Sequence, residues 1–146
     1  MSLYVLDIDM LTLVEEGHVA VGRRFLEQRP EAVAVTVLTV EEQLSGWYTA
    51  LRKAKQPRKL AWAYQRLADT VRFLARLQIL TYNEPAMKRY EGLRKRKVKI
   101  KRMDLRIAAT VLEHAAILVS RNIRDFKQVP GLRIEDWTQE TQAGLS

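Results

Sequence analysis

The sequence predicts an α/β domain with a short central parallel sheet and helices on both faces. Three observations predict it. Short apolar runs alternate with longer segments of helical periodicity along the chain. The runs are continuous rather than alternating apolar and polar, as strands covered on both faces are. The 146 residues, 47% of them hydrophobic, fit one domain with a sizeable core.

The elements follow in order. Residues 3–6 (LYVL) read as a buried strand that stops at Asp7. Residues 10–28 carry two helical stretches broken at Gly17, and residues 33–37 (VAVTV) are a β-branched second strand. Thr39 is the expected N-cap of the next helix, with Glu42 completing a Thr-x-x-Glu capping box, and that helix is expected to end near Leu51. Pro57 opens the longest helix, 57–77. Its Leu60, Tyr64, Leu67, Val71 and Leu74 recur at helical spacing and predict the buried face. Trp62 and Phe73 lie off that stripe, either on a second packing face or at a contact with another chain. ILTY (79–82) is a strand candidate and 84–96 a helix. Asp104 is the expected N-cap of the helix that carries LRIAATVLEH. Ile117-Leu118-Val119 is a third apolar strand, 122–128 a turn or short helix, and 132–134 a last strand. The end, 138–146, reads as a polar, flexible tail.

Composition narrows the chemistry. The chain has no cysteine, which excludes disulfides and thiolate metal sites and suits a cytoplasmic protein. The opening MSLYVLD lacks a basic segment followed by a long apolar run, so no secretory leader is expected. No apolar stretch approaches the ~18 residues of a membrane span. The net charge is +8 and favours a polyanionic partner. Residues 88–102 (KRYEGLRKRKVKIKR) hold nine Lys or Arg, and Arg52, Lys53, Lys55, Arg58 and Lys59 form a second cluster. Such runs serve as solvated faces, or they bind an anion that relieves their mutual repulsion.

Four of the 17 acids stand out by position. Asp7 directly follows an apolar strand, where a charge is costly unless paired or metal-bound. Asp9 would share its face if the chain stayed extended. Glu42 and Asp104 lie at helix starts near strand ends, and Asp125 lies six residues past Val119. In parallel α/β sheets a ligand sits beyond the carboxyl ends of the strands, where these acids lie. Each also has a structural explanation: a capping box for Glu42, an N-cap for Asp104, a turn for Asp125, ion pairs for Asp7 and Asp9. Spacing alone does not show that they converge.

Three segments together resemble the PIN-domain family, most closely the VapC-type toxins of bacterial toxin–antitoxin pairs. They are Tyr4-Val5-Leu6-Asp7-Ile8-Asp9, then Thr39-Val40-Glu41-Glu42-Gln43-Leu44-Ser45-Gly46, and then a long third segment. The third runs Asp104-Leu105-Arg106-Ile107-Ala108-Ala109, Leu118-Val119-Ser120-Arg121-Asn122, Asp125-Phe126 and Val129-Pro130-Gly131-Leu132. The resemblance covers roughly 3–137 and implies a PIN-like nuclease domain over 1–137. It implies an acidic quartet of Asp7, Glu42, Asp104 and Asp125 that holds Mg2+ or Mn2+, with Asp9, Ser120 and Asn122 as polar neighbours. It also implies RNA hydrolysis leaving a 5′-phosphate, a small antitoxin whose tail covers the site, and a homodimer. In this chain Lys99, Lys101 and Arg102 stand where the family carries Gly or another small residue.

The residue types agree with that chemistry. Phosphodiester hydrolysis needs an attacking water and charge neutralisation at phosphate, and hard divalent ions on carboxylates supply both. His18 and His114 fall in helical segments and read as structural or surface residues, which argues against a histidine-based ribonuclease. Arg94, Lys95, Arg96, Lys97, Lys99, Lys101 and Arg102 are candidates to hold the RNA backbone. Two other classes compete. A haloacid-dehalogenase-like phosphohydrolase would use Asp7-Ile8-Asp9, yet Leu11 and Asp125-Phe126-Lys127 depart from its motifs. A non-catalytic nucleic-acid or protein-binding module would use the acids as caps.

Overall fold

The computed structural model describes residues 2–139. Most of the expected 138–146 tail lies outside the described residues. Five parallel strands form one sheet in the order β3-β2-β1-β4-β5. They are β1 (Tyr4–Leu6), β2 (Val33–Thr36), β3 (Gln78–Leu80), β4 (Ile117–Val119) and β5 (Arg133–Glu135). The helices are α1 (Ile8–Glu15), α2 (Val19–Glu27), α3 (Val37–Lys53), α4 (Pro57–Leu74), α5 (Glu84–Lys95), α6 (Arg102–Glu113) and α7 (Ile123–Phe126).

Strand side chains alternate between two cores. Val5, Ala34 and Leu118 face a cluster with Tyr90 and Leu93 of α5 and Leu105, Ala108 and Val111 of α6. Leu6, Val33 and Val119 face Met10, Val21 and Trp137, while Val35 meets Leu11 and Leu74. Helices therefore cover both faces, as continuous apolar strands require. The chain builds outward from β1 to β2 and β3, then returns to place β4 on the other side of β1. That reversal puts the topological switch point between β1 and β4, where open parallel sheets form a crevice at their carboxyl ends.

Four local expectations need correction. Thr36, not Thr39, caps α3: its hydroxyl accepts from the Thr39 amide at 3.1 Å. The strand ends one residue earlier than its β-branched run suggests, because Val37 already starts the helix. Thr39 is then a buried interior residue, and Glu42 lies in the second turn rather than in a capping box. Lys101, not Asp104, occupies the N-cap position of α6, which puts Asp104 third in the helix. The expected apolar stripe of α4 is only partly buried: Leu74 is buried and Leu67 partly so, while Leu60, Tyr64 and Val71 face outward and Ala63 and Thr70 are buried in their place. Small residues on the inner face let α4 pack closely on the domain. Phe73 packs within the domain against Phe25, and Trp62 packs edge-on against Trp47 while staying more than half exposed.

Gly17 breaks the first helical stretch as expected, with φ +80°. His18 caps α2 by accepting from the Val21 amide, and His114 ends α6, so both histidines sit at helix ends.

Candidate active site at the carboxyl rim of the sheet

Asp7 is the first residue past β1. Its amide still donates to the Val119 carbonyl of β4 at 3.1 Å, so β4 fixes where the side chain begins. The carboxylate then caps α1, accepting from the Met10 amide at 2.9 Å. Ser120, the first residue past β4, lies near enough to favour the charged form of Asp7. Ser120 is fully buried and holds its own loop by accepting from the Asn122 amide at 3.0 Å. Asn122 in turn donates through Nδ2 to Asp125 Oδ2 at 3.0 Å. Of the three polar neighbours expected beside the acids, Asn122 thus orients Asp125, and Ser120 lies near Asp7.

Asp9 behaves differently. The chain turns helical at Ile8, so Asp9 does not share the face of Asp7 as an extended strand would have it. It forms an exposed ion pair with Arg121, Oδ2 to Nη2 at 2.7 Å.

Electrostatics couple the four acids. Burial raises the Asp7 carboxyl above its ordinary range, with the charges of Asp9 and Asp104 adding to it and the bonds from Ser120 and Met10 opposing it. Burial likewise raises Glu42, with Asp104 and Asp7 next, and Lys101 partly offsets the shift. Asp104 is raised by burial and by Asp125, again against Lys101. Each of these acids senses at least one other, which is the mark of a shared pocket. Oε1 of Glu42 is buried without a hydrogen-bond partner. An orphaned carboxylate oxygen is costly unless a proton or a cation satisfies it.

The all-oxygen donor set suits a hard divalent ion. As the side chains stand, no three His, Asp or Glu among the described residues close around a single point. Fit therefore rests on donor chemistry, the mutual repulsion and the unpartnered Glu42 oxygen, with side-chain rotation needed to complete a shell.

The chain belongs to the PIN-domain family, whose model matches residues 8–132. It is similar to a protein named ribonuclease VapC2 from Haemophilus influenzae, 28% identical over 139 residues, covering 92% of this chain and 97% of the relative. It is also similar to the tRNA(fMet)-specific endonuclease VapC of Salmonella typhimurium, 31% identical over 75 residues. That match spans 49% of this chain and 57% of the relative. Among solved structures, the DNA-bound VapBC of Salmonella typhimurium superposes with a TM-score of 0.76 at 23% identity, covering 94% of this chain and 99% of that one. VapBC2 from Rickettsia felis, bound to a promoter DNA fragment, superposes at 0.73 and 23% identity, covering 92% and 98%. These superpositions show a shared PIN fold.

The basic run flanks the rim. α5 and α6 pair closely, and Arg106 lies between the rings of Tyr82 and Tyr90, at 5.8 and 5.4 Å. Arg89 and Glu113 add an ion pair between the same helices. Arg94 and Lys95 end α5, Arg96 and Lys97 turn the chain with Lys97 at φ 59°, and Lys99, Lys101 and Arg102 lead to Asp104. Lys101 is the member that reaches the acids electrostatically.

Sequence reasoning missed Arg121 as the partner of Asp9, and it missed Thr36 as the cap that sets α3. The signal for Thr36 was present: a Thr-x-x-Thr at the end of a β-branched run. No helix among the described residues is long and apolar enough to cross a membrane.

Proposed function

We propose that this chain is a divalent-metal-dependent endoribonuclease acting in the cytoplasm as the toxin of a type II toxin–antitoxin pair. The observation that carries the reading is the coupling of Asp7, Glu42, Asp104 and Asp125 at the switch point of a PIN fold. VapC relatives named as ribonucleases support the substrate class.

The four carboxylates would hold Mg2+ or Mn2+, which supplies Lewis-acid charge at the scissile phosphate and a water of lowered pKa. Asp7 is held ready by the Met10 amide, and Asp125 by Asn122, so two of the four donors are pre-oriented. Glu42, with one unpartnered oxygen and a raised carboxyl, is suited to bind the attacking water and take its proton. Lys101 lies beside Glu42 and Asp104 as a cation for the phosphate, and the rest of the run 94–102 would lead the RNA backbone to it.

A small antitoxin protein and a second copy of the chain are the proposed partners. Their support is the solved VapBC complexes and the outward apolar stripe of Leu60, Tyr64 and Val71 on α4, a surface that a lone domain leaves uncovered.

The test is cleavage of mixed cellular RNA by purified protein with Mg2+, with Mn2+ and with EDTA, beside Asp104→Asn. Cleavage is expected only with metal. It should fall in the variant by about 100-fold or more, since even outer-shell partners of a metal site are typically worth about 10–100-fold. In parallel, millimolar metal should raise the melting temperature of the wild type and not of Asp7→Asn/Asp104→Asn. RNA binding without cleavage under any condition would move the assignment to a binding module.

A further inference from the structure

A cleft of about 580 Å3 opens beside the acids, between α1, α3 and α4, and Glu42 and Ile8 form part of its wall. Its far wall is aromatic. Trp47 and Trp62 meet edge to face with centroids 5.5 Å apart, and the Arg66 guanidinium lies over Trp47 at 5.4 Å. Trp62 is 58% exposed and lines the cleft, so much of its surface is available to a ligand. The floor is polar. Gln43 is more than nine-tenths buried; its Nε2 donates to Glu15 Oε1 at 3.1 Å, and its Oε1 has no partner. Arg66 reaches Glu15 from the other side at 4.0 Å.

We propose that this cleft is a nucleobase subsite, in which an unpaired base next to the scissile phosphate stacks on Trp62 and is read along its edge by Gln43 and Glu15. It rests on the nuclease reading for the identity of its ligand. The combination favours a base over a protein side chain. A flat indole platform accepts any base by stacking, and here it lines the same cleft as the polar side chains of Gln43 and Glu15. Arg58 and Lys59 lie one turn before Trp62 on α4 and are exposed, which places cations beside the platform for the flanking phosphates. The acceptors lining the cleft are Gln43 Oε1, which has no partner, and the Glu15 carboxylate, whose oxygens meet Gln43 and Arg66 and keep further lone pairs. Uracil offers these acceptors one pairing-edge donor, N3–H, flanked by two carbonyl oxygens that repel them, whereas adenine, cytosine and guanine add an exocyclic amino donor, so an amino-bearing base should be preferred over uracil.

The experiment uses the full chain carrying Asp104→Asn, so that the probe stays intact, with fluorescein-labelled single-stranded RNA 12-mers of mixed sequence and of oligo-uridine. Anisotropy gives affinity. Tryptophan quenching reports on the cleft, because the third tryptophan, Trp137, is fully buried elsewhere. Adding Trp62→Ala is expected to weaken binding by about 5–150-fold, the range typical of one base–aromatic stack, and to remove most of the quench. Trp62→Phe should retain binding within a few fold, and oligo-uridine should bind more weakly than mixed sequence. Unchanged affinity and quench in Trp62→Ala, or no RNA binding by either protein, would overturn the proposal. So would a Trp62→Ala protein that binds RNA normally but no longer takes up its antitoxin, which would assign the cleft to the protein partner. Cleavage assays separate the two levels: metal-dependent cleavage indifferent to Trp62 sinks the subsite alone, whereas Trp62-dependent binding by a protein that never cleaves sinks the nuclease reading alone.

Discussion

Two charged regions lie side by side at the carboxyl rim, and they are made in opposite ways. The basic run 88–102 is contiguous in sequence, largely exposed and presented by one helical hairpin. The acidic group is drawn from four separate elements and is at least partly buried, and Asp7, Glu42 and Asp104 are raised by burial and by neighbouring acids. Exposed like charges are screened by water and salt and can be substituted at little structural cost. Gathered acids are destabilising as they stand, so the fold must hold them against their own repulsion. One region can attract a polyanion from a distance, and the other can act on it only after the chain has folded.

The largest effect that would sharpen this contrast concerns the exposed region. Replacing Arg94, Lys95, Arg96 and Lys97 together with serine should weaken RNA binding in a salt-dependent way and leave the melting temperature nearly unchanged. On single strands each phosphate contact contributes about 0.7 to the slope of log affinity against log salt, so the slope should flatten by up to about 3 if all four make contact. A variant with the wild-type slope would show that the run faces something other than RNA.

The acids should respond to pH instead. Asp104 is raised above its ordinary value of 3.8, so the unfolded chain ionises there before the folded one. Stability from such a group is fully present below the unfolded value and is lost as pH rises through the folded one. Asn at this position imitates the protonated acid. In metal-free buffer Asp104→Asn should therefore melt a few degrees above wild type at neutral pH, and the gap should close as pH falls into the ordinary carboxylate range. A gap that stayed constant with pH would mean that the carboxylate charge is not what strains the rim.

The contrast also explains what could be read from sequence. The basic run needs no fold to be seen, because its residues are neighbours in the chain. The parallel sheet was legible too, since LYVL, VAVTV and ILV carry the continuous apolar pattern that burial on both faces demands. The acids were legible one at a time as oddly placed residues, and their grouping came only from resemblance to a family. Convergence depends on strand order, and nothing local says that β4 lies against β1 so that Ser120 reaches Asp7. The outward stripe of α4 misled for a related reason. Periodicity identifies an apolar face, but whether it meets the domain or another chain depends on which neighbour is present. The cleft between Trp47 and Trp62 was half visible: Trp62 was singled out, yet its partner Trp47 lies 15 positions away on another helix.

The smallest expected effect tests how the gathered region is kept in register. Glu42 reaches the rim because α3 begins where it does, and that start rests on Thr36, whose hydroxyl is buried and accepts from the Thr39 amide. Removing a capping hydroxyl of this kind typically costs about 0.5–2 kcal/mol. Thermal melting of Thr36→Ala should therefore show a drop of roughly 1–8 °C, taking about 2–4 °C per kcal/mol for a chain of this size. Thr36→Ser keeps the acceptor oxygen and should recover most of the loss. Thr39→Ser removes a buried methyl and leaves the cap intact, so any loss there comes from packing alone and should not be accompanied by fraying at the start of α3. Hydrogen exchange at the Val37–Val40 amides separates the two: faster exchange in Thr36→Ala but not in Thr39→Ser places the cap at Thr36, and the reverse pattern would restore Thr39 as the residue that sets Glu42.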